Sequence, residues 1–578
     1  MRATGPRIAL IVGVVTVLVA AAAVPTVIYL RKQQEEDRRH RSEQAFRTAA
    51  EGFAAAWRTG RLDGVAYQGT AGTEVARQVK AAVAGLRPVG GRPATVDLLG
   101  TDGPTGAGTP AGTGTVRLAL TWDLGNPQRW KYETSATLVA VGETWSVKWT
   151  PAVLHPQLRT GQVFTTVRTP AKRAQIVGAR GEVISSPTKF ARAVIGIAGP
   201  ATKEIVNASK GRVKAGDTTG LSGLQRSYDA RLAGTAGIQV RPADVAADGS
   251  TKPVAGDPLF EVPPVDGEQV TLSLDSKIQL AAEATLTGAT KPAGLVAIRV
   301  STGEVLAAAN GGPNAAGYNR ALIGRYPPGS TMKVSTAFAL LQTGITPSTA
   351  VNCPPTIQVD GRTFQNSEGE KLGSVPFLTD FAQSCNTAFI GSATKISAAQ
   401  LHDAAASLGY GAPNTLGAPA YTGDVPTKAT ATEHAADAIG QGVVLASPLT
   451  VASVSASVGA GRFNPPKLVL DPAPATAAEP GPALPAEAIG QLRTLMRQVV
   501  LTGTGTALKA VPGGPVYGKT GTAEFGSASP PLTHAWFTGY QGDIAFALVV
   551  EGGGFGGKVA APLVADFLTR LAAAPPAG

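Results

Sequence analysis

Cysteine and histidine are scarce in this chain of 578 residues, which has 2 of the first and 5 of the second. No Cys-x-x-Cys pair occurs and the histidines do not cluster, so neither a metal site nor a cofactor is expected. Charged residues make up only 16%. No aromatic and basic residues interleave as a nucleic-acid surface requires, so nucleic acid is not an expected partner. No cysteine lies beside the one long apolar run, which excludes a lipoprotein-type anchor there. The length excludes a single core and suggests roughly three to four domains.

What is present describes a folded chain at a surface. Hydrophobic residues are 43%, and Gly 70 with Pro 43 imply many turns. The net charge of +11 reads either as a solvated surface or as attraction to an anionic polymer or lipid. Residues 8–30 form a run of 23 without a charge. As a helix it would be about 34 Å long, enough to cross a bilayer. Arg2 and Arg7 precede it, and Arg31 and Lys32 follow it, a weak orientation signal. A cleaved signal peptide with Ala21, Ala22 and Ala23 as small residues is the alternative. The run exceeds a normal signal core, so a single-pass anchor in the cell membrane is expected. Residues 1–31 would be the cytoplasmic tip and anchor, with the bulk of the chain extracytoplasmic. Out there Cys353 and Cys385 could pair as a disulfide, or remain two small buried residues; pairing is the expectation.

The most informative stretch is Tyr326-Pro327-Pro328-Gly329-Ser330-Thr331-Met332-Lys333, followed by an apolar run. Pro328 and Gly329 read as a helix start. Ser330 and Lys333 are close to one helical turn apart and so share a face. A serine becomes a good nucleophile when a base removes its proton, and a lysine can do so only when neutral. Burial near a helix N-terminus disfavours the ammonium. The same spacing recurs at Ser186 to Lys189 and at Ser392 to Lys395. The first contains Pro187, which suits a turn, and the second lacks the Pro-Pro-Gly lead. Only the Ser330 pair is followed, in order, by Ser384-Cys385-Asn386 and by the single Lys-Thr-Gly of the chain, Lys519-Thr520-Gly521-Thr522.

These three motifs resemble the active-site set of penicillin-binding proteins and serine β-lactamases. Asn319-Arg320-Ala321-Leu322, Gly440-Gln441-Gly442, Ser447-Pro448, Gly503-Thr504-Gly505 and Ala535-Trp536-Phe537-Thr538-Gly539 narrow the resemblance to class B penicillin-binding proteins. It covers most of the chain. Trp145 to Trp149 and His155 to Leu158 resemble the end of a MecA N-terminal-type domain, with a helix at 42–61 and strands at 95–99, 115–122, 130–141 and 145–149. The Gly/Thr-rich stretch 100–114 reads as a long hairpin loop. Arg173 to Ile176, Arg180 to Ile184 and a helix over 220–234 resemble the pedestal, or dimerisation domain. The family has an Asp-Arg pair where this chain has Gly178-Ala179.

The implied fold is multidomain. It comprises the transmembrane helix, a cone-like α+β domain at 32–158, an extended pedestal at 159–264, and an α/β transpeptidase domain at 265–578 with an antiparallel sheet flanked by helices.

The implied activity is that of a peptidoglycan D,D-transpeptidase that cross-links D-Ala-D-Ala stem peptides and is acylated by β-lactams. In that scheme Ser330 attacks, Lys333 is the base and Ser384 relays protons. Asn386 holds the substrate amide and touches Lys333. Lys519 stays charged to attract a carboxylate, and Thr520 and Thr522 hydrogen-bond that carboxylate or the acyl chain. Gly521 lets substrate approach, and the backbone N–H groups of Ser330 and Thr522 form the oxyanion hole. Trp536 and Phe537 read as core, and His534 as structural. A glycosyltransferase, or a division or elongation complex, is the implied partner. A penicillin-binding scaffold, a β-lactam sensor, a β-lactamase and a D,D-carboxypeptidase remain as alternatives.

Overall fold

The computed structural model describes residues 7–105, 112–125, 128–142, 144–184, 188–209, 211–475, 479–527 and 531–573. The chain divides into two compact units: residues 1–171 with 235–265, and residues 172–234 with 266–578. The stretch 159–264 therefore contributes to both.

The first unit begins with a helix, α1 (Arg7–Thr59). Among the described residues no helix is long and apolar enough to cross a membrane. Most of the apolar run 8–30 falls at residues 7–25, whose side chains lie outside the described set. The last turns of α1 are amphipathic. Phe46, Phe53 and Trp57 are each 1% exposed, spaced to put one stripe into a core. Helix α2 (Gly72–Val83) follows, then a four-stranded meander of β1 (Thr95–Thr105), β2 (Thr113–Asp123), β3 (Arg129–Val141) and β4 (Thr144–Lys148). Alternate residues of β3 are buried, the signature of a sheet with one wet face. Trp122 and Trp130 lie in that core with Phe53 and Trp57.

Of the stretch 100–114 expected as a long loop, 100–105 and 113–114 are strand, and 106–111 lie outside the described residues. β1 continues to Thr105 through two register shifts, at Leu98/Gly100 and Asp102/Thr105. Bulges accommodate the glycines, and threonine suits the pleat. Strands β5 (Gln162–Thr169) and β6 (Gly237–Val245) pair antiparallel within the same unit.

In the second unit the helix expected over 220–234 is two short ones, Gly223–Ser227 and Asp229–Ala233. They break at Tyr228, whose non-helical backbone lets its hydroxyl donate to the Gly417 carbonyl at 2.8 Å.

The centre of this unit is a five-stranded antiparallel sheet. Its strands are β7 (Ala293–Arg299), β8 (Val305–Gly311), β9 (Val516–Phe525), β10 (Leu532–Gln541) and β11 (Ile544–Val550), in the order β8-β7-β11-β10-β9. β7 is buried along nearly its whole length. Leu295 and Ala297 join a cluster with α3 (Ser276–Leu286) and the closing helix Ala560–Ala573. Val296 and Ile298 join the larger core on the other side, which includes the helix Pro448–Ala460. Helices on both faces explain why β7 reads as an unbroken apolar run and not as an alternation. β9 is left at the sheet edge, carrying Lys519 to Thr522.

Candidate active site

Ser330 lies in a 3-10 turn, Gly329–Met332, and not in the α-helix expected for it; the α-helix, α4 (Lys333–Leu341), begins at the lysine. The turn is tied to the sheet edge. Gly329 has φ 52°, and a Cβ there would meet the Thr522 carbonyl. The Gly329 N–H donates to the Gly440 carbonyl at 3.0 Å. The Trp536 indole N–H donates to the Pro327 carbonyl at 3.2 Å. A Cβ on Gly521 would lie 2.8 Å from Thr331 Cγ2 and 2.9 Å from Trp536 Cβ. Gly521 is therefore required by the packing of the serine turn against β9, a reason more local than substrate approach. The Ser330 hydroxyl is half-buried and makes no hydrogen bond among the described residues.

Every side chain of α4 is buried, and Lys333 is 0% exposed. Its Nζ donates to the Ser384 carbonyl and to Asn386 Oδ1, each at 2.6 Å, and lies 3.3 Å from Ser384 Oγ. Lys519, also 0% exposed, donates from Nζ to Ser384 Oγ at 2.7 Å. Ser384 thus stands between the two lysines.

It can do so because the chain reverses there. Helix α5 (Phe377–Gln383) ends at Ser384 in the left-handed conformation, φ 68° and ψ 32°. That conformation is uncommon for a residue with a Cβ and is associated with functional sites. It turns the carbonyl toward Lys333 while the hydroxyl reaches Lys519. The next helix, α6 (Asn386–Ala393), then starts with Asn386.

Among the described residues no carboxylate comes within ion-pair distance of either lysine. Burial pushes Lys333 well below the ordinary lysine range, and the nearby Lys519 pushes it further; Glu370 and Asp380 oppose this. Burial brings Lys519 down to about 7, with Glu370 opposing. Lys519 therefore holds its proton less firmly than an exposed lysine does, because among the described residues no anion sits close enough to offset its desolvation. A neutral Lys333 spends two N–H bonds on Ser384 O and Asn386 Oδ1 and keeps a lone pair to accept a proton.

The remaining expected residues divide. Thr522 Oγ1 accepts the Gly556 N–H at 3.2 Å. Thr520 is 5% exposed, and its hydroxyl is engaged with Thr504 Oγ1 at 2.5 Å. Asn386 Nδ2 donates to the Gln365 carbonyl at 3.2 Å. Trp536 and Phe537 are fully buried. His534 stacks on Phe525, with ring centroids 3.9 Å apart, and burial lowers its pKa. Cys353 and Cys385 form a disulfide, with Cα atoms 6.3 Å apart, within the usual span. Their sulfurs and Asp380 cluster as metal ligands might, but oxidised sulfur is not a thiolate ligand.

Two residues emerge that sequence reasoning did not single out. Asn366 is 4% exposed, and its Oδ1 accepts the N–H groups of Asn386 at 2.8 Å and Thr387 at 3.0 Å. Its Nδ2 donates to the carbonyls of Pro354 and Glu370, both at 2.9 Å. It pins the start of α6 as a cap would. Nothing in the local sequence marks it.

Gln441 had been noted only within Gly440-Gln441-Gly442. Its Nε2 donates to the Thr522 carbonyl at 3.3 Å and its Oε1 accepts the Glu524 N–H at 3.1 Å. One side chain thereby satisfies the open edge of β9. Asn366→Ala takes the partner from the buried Thr387 N–H and the half-buried Asn386 N–H, so a stability loss of about 2–3 kcal/mol is expected. Slower acylation should accompany it, as Asn386 loses its fixed position; thermal melting and a penicillin-labelling rate measure the two.

With this geometry in place, three family models match: the penicillin binding protein transpeptidase domain over residues 293–569, an NTF2-like N-terminal transpeptidase domain over 46–162, and the penicillin-binding protein dimerisation domain over 185–272. Together they cover most of the chain, which has the domain make-up of a penicillin-binding protein.

The chain is 31% identical over 278 residues to the peptidoglycan D,D-transpeptidase PbpA of Mycobacterium tuberculosis, covering 42% of this chain and 55% of that one. It is 27% identical over 431 residues to the peptidoglycan D,D-transpeptidase MrdA of Acinetobacter baumannii, covering 62% of this chain and 61% of that one. The chain thus spans about half the length of the mycobacterial relative. The crystal structure of Pseudomonas aeruginosa PBP2 in complex with WCK 5153 aligns with a TM-score of 0.58 at 26% identity, covering 70% of this chain and 96% of that one.

Proposed function

We propose that this penicillin-binding protein is a peptidoglycan D,D-transpeptidase working through a serine acyl-enzyme. The observation that carries the reading is the placing of two fully buried lysines on either side of Ser384, beside the Ser330 turn and the edge of β9.

Ser330 Oγ attacks the carbonyl of the penultimate D-alanine, and its proton passes to the neutral Lys333. Lys519 and Ser384 form a chain through which a proton returns to the leaving amine, and D-alanine departs. An acceptor amine then attacks the ester and Ser330 recovers its proton. The backbone N–H groups of Ser330 and Thr522 hold the oxyanion, worth about 3–4 kcal/mol per donor in comparable sites. Asn386, Thr520, Gly521 and Thr522 bind the stem peptide, and β-lactams acylate Ser330 by the same route.

Residues 8–30 anchor the chain in the cell membrane, and the rest works in the wall. The domain limits are 1–31, 32–158, 159–264 and 265–578. A glycosyltransferase in a division or elongation complex supplies the strands to be joined.

The test supplies a D-Ala-D-Ala stem-peptide donor with and without an acceptor amine. Cross-linked product with D-alanine release supports the reading. Hydrolysis alone makes the chain a carboxypeptidase. Stable penicillin labelling without peptide turnover makes it a scaffold, and release of the label within seconds makes it a β-lactamase.

A further inference from the structure

Asp380 is 0% exposed, and neither carboxylate oxygen has a hydrogen-bond partner. It lies one turn before Ser384 on α5, between Thr379 and the buried Phe381, and is the one ionisable residue of that helix. Its backbone carbonyl accepts the Cys385 N–H at 2.9 Å, within the turn that presents Ser384. Its carboxylate lies within 4.8 Å of the sulfurs of Cys353 and Cys385. A buried carboxyl with no partner costs stability, and nothing in the packing of α5 requires an acid.

It lies near the base: Cys385, whose sulfur is within 4.8 Å of the Asp380 carboxylate, stands between Ser384 and Asn386, which accept from Lys333 Nζ at 2.6 Å each. Lys333 and Glu370 are the charged groups that act on Asp380, and Asp380 in turn acts on Lys333. β9 brings Lys519, whose Nζ lies 5.7 Å from the ring centroid of Phe381 on α5, and the other elements packed against α5 offer little more. The strands Ala350–Cys353 and Gly373–Pro376 carry no ionisable side chain besides the oxidised Cys353. The helix Ala486–Leu501 carries an exposed Glu487 and two arginines. Arg493 donates to the carbonyls of Val458 and Gly459, and Arg497 to that of Val516.

We propose that Asp380 is a positioning residue for the acylation chemistry: it acts through space on Lys333 and sets how readily that amine gives up its proton to become the base. This rests on the reading of Lys333 as general base. The balance is simple. With Asp380 ionised, the ammonium form of Lys333 is favoured and the lone pair is occupied by a proton. With Asp380 neutral, that proton leaves Lys333 more easily and the amine can accept the one from Ser330. Burial, and repulsion from Glu370, bring Asp380 up to about 7, with Lys333 opposing. Its charge therefore changes within the range where the enzyme would work.

The test is the rate of acylation by a fluorescent penicillin from pH 5 to pH 9, in the full-length protein. In Asp380→Asn the charge is gone at every pH, so the acid limb of the profile is expected to move down by about one unit. The plateau should stay within about threefold, since no reacting group is touched. Asp380→Glu keeps the charge and is expected to keep the wild-type limb. Asp380→Ala serves as the charge-free variant if the amide does not fold, with the same expected shift. A limb unmoved in a folded charge-free variant overturns the inference. Because Ser330 labelling persists in that outcome, the acyl-enzyme reading would stand. Loss of all labelling in folded Asp380→Asn would also overturn it, since a through-space effect leaves the nucleophile in place.

Discussion

Ser330→Ala abolishes covalent labelling by penicillin and lowers peptide turnover by at least about 10⁴-fold, because no other nucleophile can form the ester. The variant should fold as the parent does. The Ser330 hydroxyl makes no hydrogen bond among the described residues, so its removal leaves no buried group unpaired. The turn is held by Gly329, Pro327 and Trp536 through backbone and indole contacts. The two other Ser-x-x-Lys pairs provide an internal control. Lys395 is exposed while Lys333 is fully buried, so only the latter has an environment that disfavours the ammonium form. Mass spectrometry of the intact protein after β-lactam treatment checks this. A full-stoichiometry adduct on the alanine variant would move the nucleophile elsewhere and undo the assignment.

The three motifs were legible because each carries its chemistry in adjacent residues. Ser330, Ser384, Asn386 and Lys519 could be named before any geometry was known, and the structure brings the last three to Lys333. The sheet was legible too, since its strands are apolar runs bounded by turn residues such as Ser301 to Gly303.

What escaped the sequence was whatever depends on long-range pairing. The register shifts in β1 hid a strand inside a Gly/Thr-rich stretch. Asn366 caps a helix that begins 20 residues away, a relation no local pattern encodes. The hydroxyl contact between Thr520 and Thr504, 16 residues apart, is likewise unmarked in the sequence. The charge state of Lys519 follows from what does not surround it, and sequence says little about desolvation. Asp380 left one trace, a lone charge in the segment Phe377–Gln383. A buried acid and an exposed one are written alike, so burial alone told them apart.

Lys519→Met is expected to separate stability from activity. The fold holds Lys519 at about 7, against 10.5 for a free lysine. An unfolded chain therefore binds a proton at this residue that the folded one releases between about 7 and 10.5. Stability rises with pH across that window, and the penalty of burying the lysine is full below it. At about 1.4 kcal/mol per unit, less about 1 kcal/mol for each of the two hydrogen bonds to Ser384 Oγ and the Thr520 carbonyl, methionine should gain on the order of 2–4 kcal/mol at pH 6. The gain should shrink toward pH 10. Acylation should fall by about 10²- to 10⁴-fold, because Ser384 loses the donor that feeds its proton chain. Such an exchange of stability for function is what a working site leads one to expect. Thermal melting at pH 6 and pH 9.5, beside penicillin-labelling rates, reads both effects. A methionine variant that melts below the parent at pH 6 would mean that Lys519 holds the site together, and that its burial is no penalty at all.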